Sequence, residues 1–146
     1  MRYLLLATVV AAIAALASCS RPKLPAAPAE TSYARLQAIP PADPAQYRDL
    51  HDYKDWRNPY LFIRKDGVAL LDVKNNEQRL VKPEDLAEAL AQLPPSAWPY
   101  GRVVAVGENG VMTSADDKVL IRKNRGIVLG TLENLHISFP PVPPPA

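Results

Sequence analysis

The sequence predicts a small α+β sandwich of about four to five strands with two helices on one face, opening with a β-hairpin. Three observations carry this. Asp66-Gly67 separates two β-prone runs at 60–65 and 68–73, and Leu86, Ala89, Leu90 and Leu93 recur at helical spacing. The uninterrupted run Val103-Val104-Ala105-Val106 follows. Such a run suits a strand buried on both faces, and an amphipathic helix needs an apolar surface to cover its stripe.

Asp-Gly between two apolar runs is a strong hairpin signal, because both central residues of a type I′ turn take positive φ. Asn75-Asn76 marks a second turn, after which residues 78–81 read as a short third strand. Pro83 suits the first turn of a helix, and Glu84 and Asp85 follow near its positive end. Pro94-Pro95 stops that helix, and a rigid loop with Trp98, Pro99, Tyr100 and Gly101 leads into the run at 103–106, expected at the centre of the sheet.

Glu108-Asn109-Gly110 reads as a turn, and residues 118–122 suit strand or helix equally. Asn124 is a candidate N-cap for a second helix through Val128, Leu132 and Leu135, although Gly126 and Gly130 each cost about 1 kcal/mol against alanine. Residues 136–139 are expected as a last strand, ended by Pro140.

The chain has 146 residues, sixteen prolines and one cysteine. The prolines cluster at 22–44, 94–99 and 140–145, which reads as the edges of the folded part. The resulting domains are 1–18, a cleaved signal; 19–56, a Pro/Ala-rich tether; 57–139, the α+β domain; and 140–146, a proline-rich tail. Within the tether, Tyr47, Leu50, Tyr53 and Trp56 lie three residues apart, compatible with a short docking helix or a loop. A net charge of +2 makes no general electrostatic case for nucleic acid or for anionic lipid.

Arg2 precedes an uncharged stretch, residues 3–17, dominated by Leu, Val, Ile and Ala. It is shorter than the ~20 residues of a full membrane span. The tetrad that ends it, Leu16-Ala17-Ser18-Cys19, resembles a bacterial lipobox. The resemblance implies cleavage between Ser18 and Cys19, diacylglycerol on the Cys19 thiol, and a palmitate-type acyl chain on the freed amine. Two chains suffice for stable anchoring where one is marginal. Ser20 stands where an aspartate would, by the usual bacterial sorting pattern, favour the inner membrane. The expected address is therefore the cell envelope, lipid-anchored at the outer membrane and facing the periplasm.

The element order, with the apolar positions at 60–73, 86–93, 103–106 and 128–137, resembles the periplasmic domain of the ExbD/TolR biopolymer-transport family. That family carries a transmembrane helix with a proton-carrying aspartate. Here the N-terminal stretch has no acidic residue and ends in the lipobox-like tetrad, so no functional residue carries over. The resemblance implies a domain that pairs with itself or binds other envelope proteins.

Constellations for chemistry are incomplete. His51 and His136 are the only histidines, with Asp49, Asp52 and Asp55 near the first, and a solvated charged linker explains them better than a metal site. No serine has the flanking glycines of a nucleophile elbow. Gly107-Glu108-Asn109-Gly110 lacks the lysine and hydroxyl of a phosphate loop. Gly126 and Gly130 suggest tight packing of the second helix on the sheet, and Lys118, Arg122, Lys123 and Arg125 form a solvated basic run that could face phospholipid headgroups or glycan. Trp56, Tyr60, Trp98 and Tyr100 are candidates for an interaction surface or for a rigid lid closing the core. Residues 140–145 have polyproline composition.

The expected function is that of a non-enzymatic envelope lipoprotein, without cofactor or metal, that binds or scaffolds another envelope protein or a second copy. The alternative is an accessory hydrolase or small-ligand carrier using a pocket beneath the loop at 94–101.

Overall fold

The computed structural model describes residues 28–50, 53–108 and 114–140. The signal at 1–18, Ser18 and Cys19 at its cleavage point, His51, Asp52 and the tail from 141 lie outside these residues.

The fold is α+β, built on a four-stranded mixed sheet in the order β3-β2-β1-β4. Strands β1 (Tyr60–Arg64) and β2 (Gly67–Asp72) form the expected hairpin, with Tyr60 opposite Leu71 and Arg64 opposite Gly67. The turn is displaced by one residue from its sequence reading: Lys65 and Asp66 are the central pair, and neither has positive φ. Positive φ falls instead on Gly67 (+145°), which opens β2, so the turn is not type I′. Strand β3 (Glu77–Val81) pairs antiparallel with β2. The turn between them is organised by Asp72, whose carboxylate accepts from Lys74 N, Asn75 N and Asn75 Nδ2 at 3.1, 3.3 and 2.8 Å. Asn76 takes φ +53°, a left-handed conformation that asparagine tolerates.

Pro83 begins a 3₁₀ turn that runs into α2 (Leu86–Ala91), which buries Leu86, Ala89 and Leu90. The chain then crosses the sheet to β4 (Ala105–Glu108), parallel to β1 with Tyr60 opposite Ala105. Val103, Val104 and Ala105 are fully buried, as a two-sided strand requires, but β4 lies at an edge of the sheet and not at its centre. The expected last strand at 136–139 reduces to a single parallel bridge between Ser138 and Val103, because Leu135 and His136 still bond back into the last helical turn and His136 has φ +53°.

Helix α3 (Ala115–Asn134) starts well before the expected cap and is longer than the sequence suggested. Its N-cap is Ser114, whose Oγ accepts from Asp117 N at 3.1 Å, with Asp116 and Asp117 in the first turn. Asn124 is therefore no cap. It sits mid-helix, where its Nδ2 donates to Arg64 O at 2.7 Å and Lys65 O at 3.3 Å, fastening the hairpin turn to α3.

A third helix, α1 (Pro28–Gln37), lies in what reads as tether. Leu36 is fully buried in the same cluster as Leu61, Ile63, Val68 and Leu70 of the sheet, Leu86 and Leu90 of α2, and Val128 and Leu132 of α3. Three helices thus share one sheet face, where two were expected. Alternation along the strands turns Tyr60, Phe62, Leu71, Val103 and Ala105 to the other face, where Trp56 and the segment through Ala42, Tyr47 and Leu50 cover them. The packed unit therefore begins at α1 and not at residue 57: burying side chains such as Leu36 and Trp56, each contributing about 1.5–3 kcal/mol, outweighs the proline-rich composition.

Candidate functional site

The covered second face holds the aromatic residues that stood out in the sequence. Two short 3₁₀ turns, Pro44–Gln46 and Tyr53–Asp55, shape the strap that lies across it. Asp43 caps the first, accepting from Ala45 N at 3.1 Å. The strap is stitched to the loop before β4 by Asp43 N donating to Tyr100 O at 3.1 Å and Arg102 N donating to Pro40 O at 2.8 Å.

Trp56 and Tyr100 meet edge-on, with ring centroids 5.5 Å apart. Tyr47, absent from the candidates, completes the group at 5.8 Å from Trp56 and 6.1 Å from Tyr100. Trp56 Nε1 donates to Pro59 O and Tyr100 Oη donates to Asp55 O. Burial raises the pKa of both Tyr47 and Tyr100; Asp43 adds to the effect at Tyr47, whereas Arg57 partly offsets it at Tyr100. Tyr60 lies in the same layer, but Trp98 is packed on the opposite side of the sheet with the helices. Trp56, Tyr60 and Trp98 are all buried, so of these four rings only Tyr100 offers appreciable surface. They act here as packing.

The residue that locks this layer is Asn58, for which the sequence gives no signal. It is fully buried, and its Nδ2 donates to Gly101 O at 2.8 Å and Val103 O at 2.7 Å. Its Oδ1 accepts from Tyr100 N at 2.9 Å. Gly101 (φ +77°) makes the approach feasible, since a Cβ there would collide with Pro41 O and lie 2.8 Å from Pro40 O.

The remaining candidates are scattered. Asp49, Asp55 and His136 are exposed, and no group of three metal-ligating side chains forms among the described residues. Gly107 belongs to β4 and not to a turn. Gly126 and Gly130 do not pack on the sheet: an added Cβ at either meets nothing within 4 Å. The correction follows from helix phase, since Ile121, Val128 and Leu132 occupy the inner face of α3. Lys118, Arg122, Lys123 and Arg125 are exposed on α3, and Arg125 pairs with Glu108 at 2.8 Å. A hollow of about 470 Å³ opens beside Pro94, lined by Asp72, Asn75, Glu77, Arg79 and Gln92 among others. Ala97 and Trp98 of the loop itself are buried in the core.

The sheet edges differ. Ser138 pairs with the segment just before β4, donating through its N to Arg102 O at 3.0 Å and accepting from Val104 N at 2.9 Å. Strand β3 pairs on one side only, and Glu77, Gln78, Arg79 and Leu80 are all exposed, Leu80 by 53%. No helix of the described residues is long and apolar enough to cross a membrane. Fold and surface together define an α+β unit with a doubly covered sheet whose edge strands are β3 and β4. Comparison with protein-family models, curated proteins and solved structures finds no match.

Proposed function

We propose that this protein is a lipid-anchored lipoprotein of the bacterial cell envelope, attached through Cys19 at the outer membrane and facing the periplasm, and that it works as a non-enzymatic module binding an envelope protein. The observation that carries the reading is the tetrad Leu16-Ala17-Ser18-Cys19 closing an apolar stretch behind Arg2.

The binding role draws support from β3. An edge strand with one free side presents backbone donors and acceptors to an extended segment, and an exposed aliphatic side chain gives that segment something to bury. Leu80 supplies the aliphatic group.

Metabolic labelling with palmitate tests the anchor. Cys19→Ser is expected to abolish incorporation and to leave an unprocessed precursor, and normal processing of that variant would overturn the lipoprotein reading. Cross-linking in intact envelopes tests the module: stoichiometric capture of a protein that Leu80→Glu weakens is expected, whereas a small molecule retained through purification without a protein partner favours a ligand carrier.

A further inference from the structure

The outward face of the first turns of α3 joins exposed aliphatic side chains to cations. Val119 is 62% exposed and Leu120 is 45% exposed, two of the four large hydrophobic side chains left in solvent among the described residues. Lys118 precedes them, and Arg122 and Lys123 follow Val119 at i+3 and i+4, one turn along the same side. None of these three cations has a carboxylate within ion-pair distance among the described residues. Nearby acidic groups are engaged elsewhere: Asp117 accepts from Lys65 Nζ at 3.1 Å, and Glu108 pairs with Arg125. Asp116, exposed and three and four residues before Val119 and Leu120, is among the described residues the one carboxylate on this face, set against three cations.

We infer that this face of α3 docks on anionic phospholipid headgroups, with Val119 and Leu120 entering the headgroup layer and Lys118, Arg122 and Lys123 meeting phosphates around them. The inference rests on the anchored reading for its biological setting. Exposed aliphatic side chains with lysine and arginine in the same turns of a helix suit the boundary between headgroups and acyl chains. Charge complementarity selects this occupant over a second copy, since two such faces brought together oppose cation to cation.

The test uses the full chain carrying Cys19→Ser and Val119→Cys, labelled at that single thiol with an environment-sensitive fluorophore. It is mixed with vesicles of phosphatidylcholine alone or of phosphatidylcholine with phosphatidylglycerol. The apolar stretch at 3–17 is retained, and flotation measures total association with each vesicle. The expected result is a blue shift and protection from aqueous iodide only with phosphatidylglycerol. Molar salt should reverse both, because the screening length falls to about 3 Å. Lys118→Gln/Arg122→Gln/Lys123→Gln should weaken the anionic-lipid dependence about tenfold or more. A probe that stays water-exposed on both floated vesicles overturns the inference, as does shielding that grows with protein density on phosphatidylcholine alone, which would place a second copy on this face. The readout is independent of lipidation at Cys19, so its failure leaves the palmitate experiment to judge the anchor separately.

Discussion

The ring of Tyr60 lies across Gly107 on the neighbouring strand, so closely that a Cβ at 107 would collide with the Tyr60 hydroxyl and sit 3.1 Å from Cζ. Gly107 is thus a gap in β4 filled by a buried tyrosine. Gly107→Ala should destabilise the protein by about 1–3 kcal/mol through overpacking. Combined with Tyr60→Phe it should cost less than the sum of the two single changes. Urea denaturation of the double-mutant cycle measures this coupling.

Asn58 uses both ends of its amide on the loop at 100–103. Asn58→Asp removes the donor and points carboxylate oxygen at two carbonyls, so it should be more damaging than Asn58→Ala at neutral pH. Asn58→Ala itself should cost about 2–4 kcal/mol, since each buried group left without a partner costs about 1–3 kcal/mol. Equal midpoints for the two variants would show that the amide does not hold the loop.

Gly126→Ala and Gly130→Ala should each raise stability, by about 0.4–1 kcal/mol, because both positions are helical and open to space. A loss of stability in either variant would mean that the glycine is in close contact after all. Thermal unfolding of the two variants decides it.

The strap and α1 belong to the folded unit. A chain starting at residue 57 should lose cooperative unfolding, whereas one starting at residue 28 should keep it. Leu36→Ala should cost about 2–5 kcal/mol, as truncation of a fully buried leucine does.

Tyr47 and Tyr100 have pKa values raised above the usual tyrosine range, chiefly by burial. A group whose folded pKa is raised contributes stability that is present below its unfolded pKa, about 10, and is lost as pH rises through the folded value. Stability should therefore decline above about pH 10. Tyr47→Phe or Tyr100→Phe should reduce the slope there, and absorbance titration of tyrosinate should show late-ionising residues that disappear in these variants.

Much of the middle of the fold was legible in order. Asp66-Gly67 marked the first hairpin, Asn75-Asn76 the second turn, and Pro83 and Pro94 the ends of a helix, because each depends on local chemistry; the run at 103–106 marked a buried stretch, but the strand itself is shifted two residues on, to 105–108. Only part of α3 was legible. Its first half carries Lys118, Arg122 and Lys123, and buries little besides Ile121, so periodicity is weak until Val128. The candidate aromatic surface failed as a grouping for a different reason. Trp98 and Tyr100 are two residues apart but belong to opposite sides of the sheet, which spacing in a loop does not reveal.

By itself the sequence determined the α+β class and the two hairpins, which depend on residues close together in the chain. Tertiary structure alone decided that α1 and the strap are part of the core, that β4 lies at an edge beside β1, and that Asn58 is a buried clamp. Those outcomes depend on which distant surfaces bury one another. A proline-rich segment reads as a tether until Leu36 and Trp56 find apolar partners, and Asn58 carries no signal until two carbonyls from 101 and 103 converge on its amide.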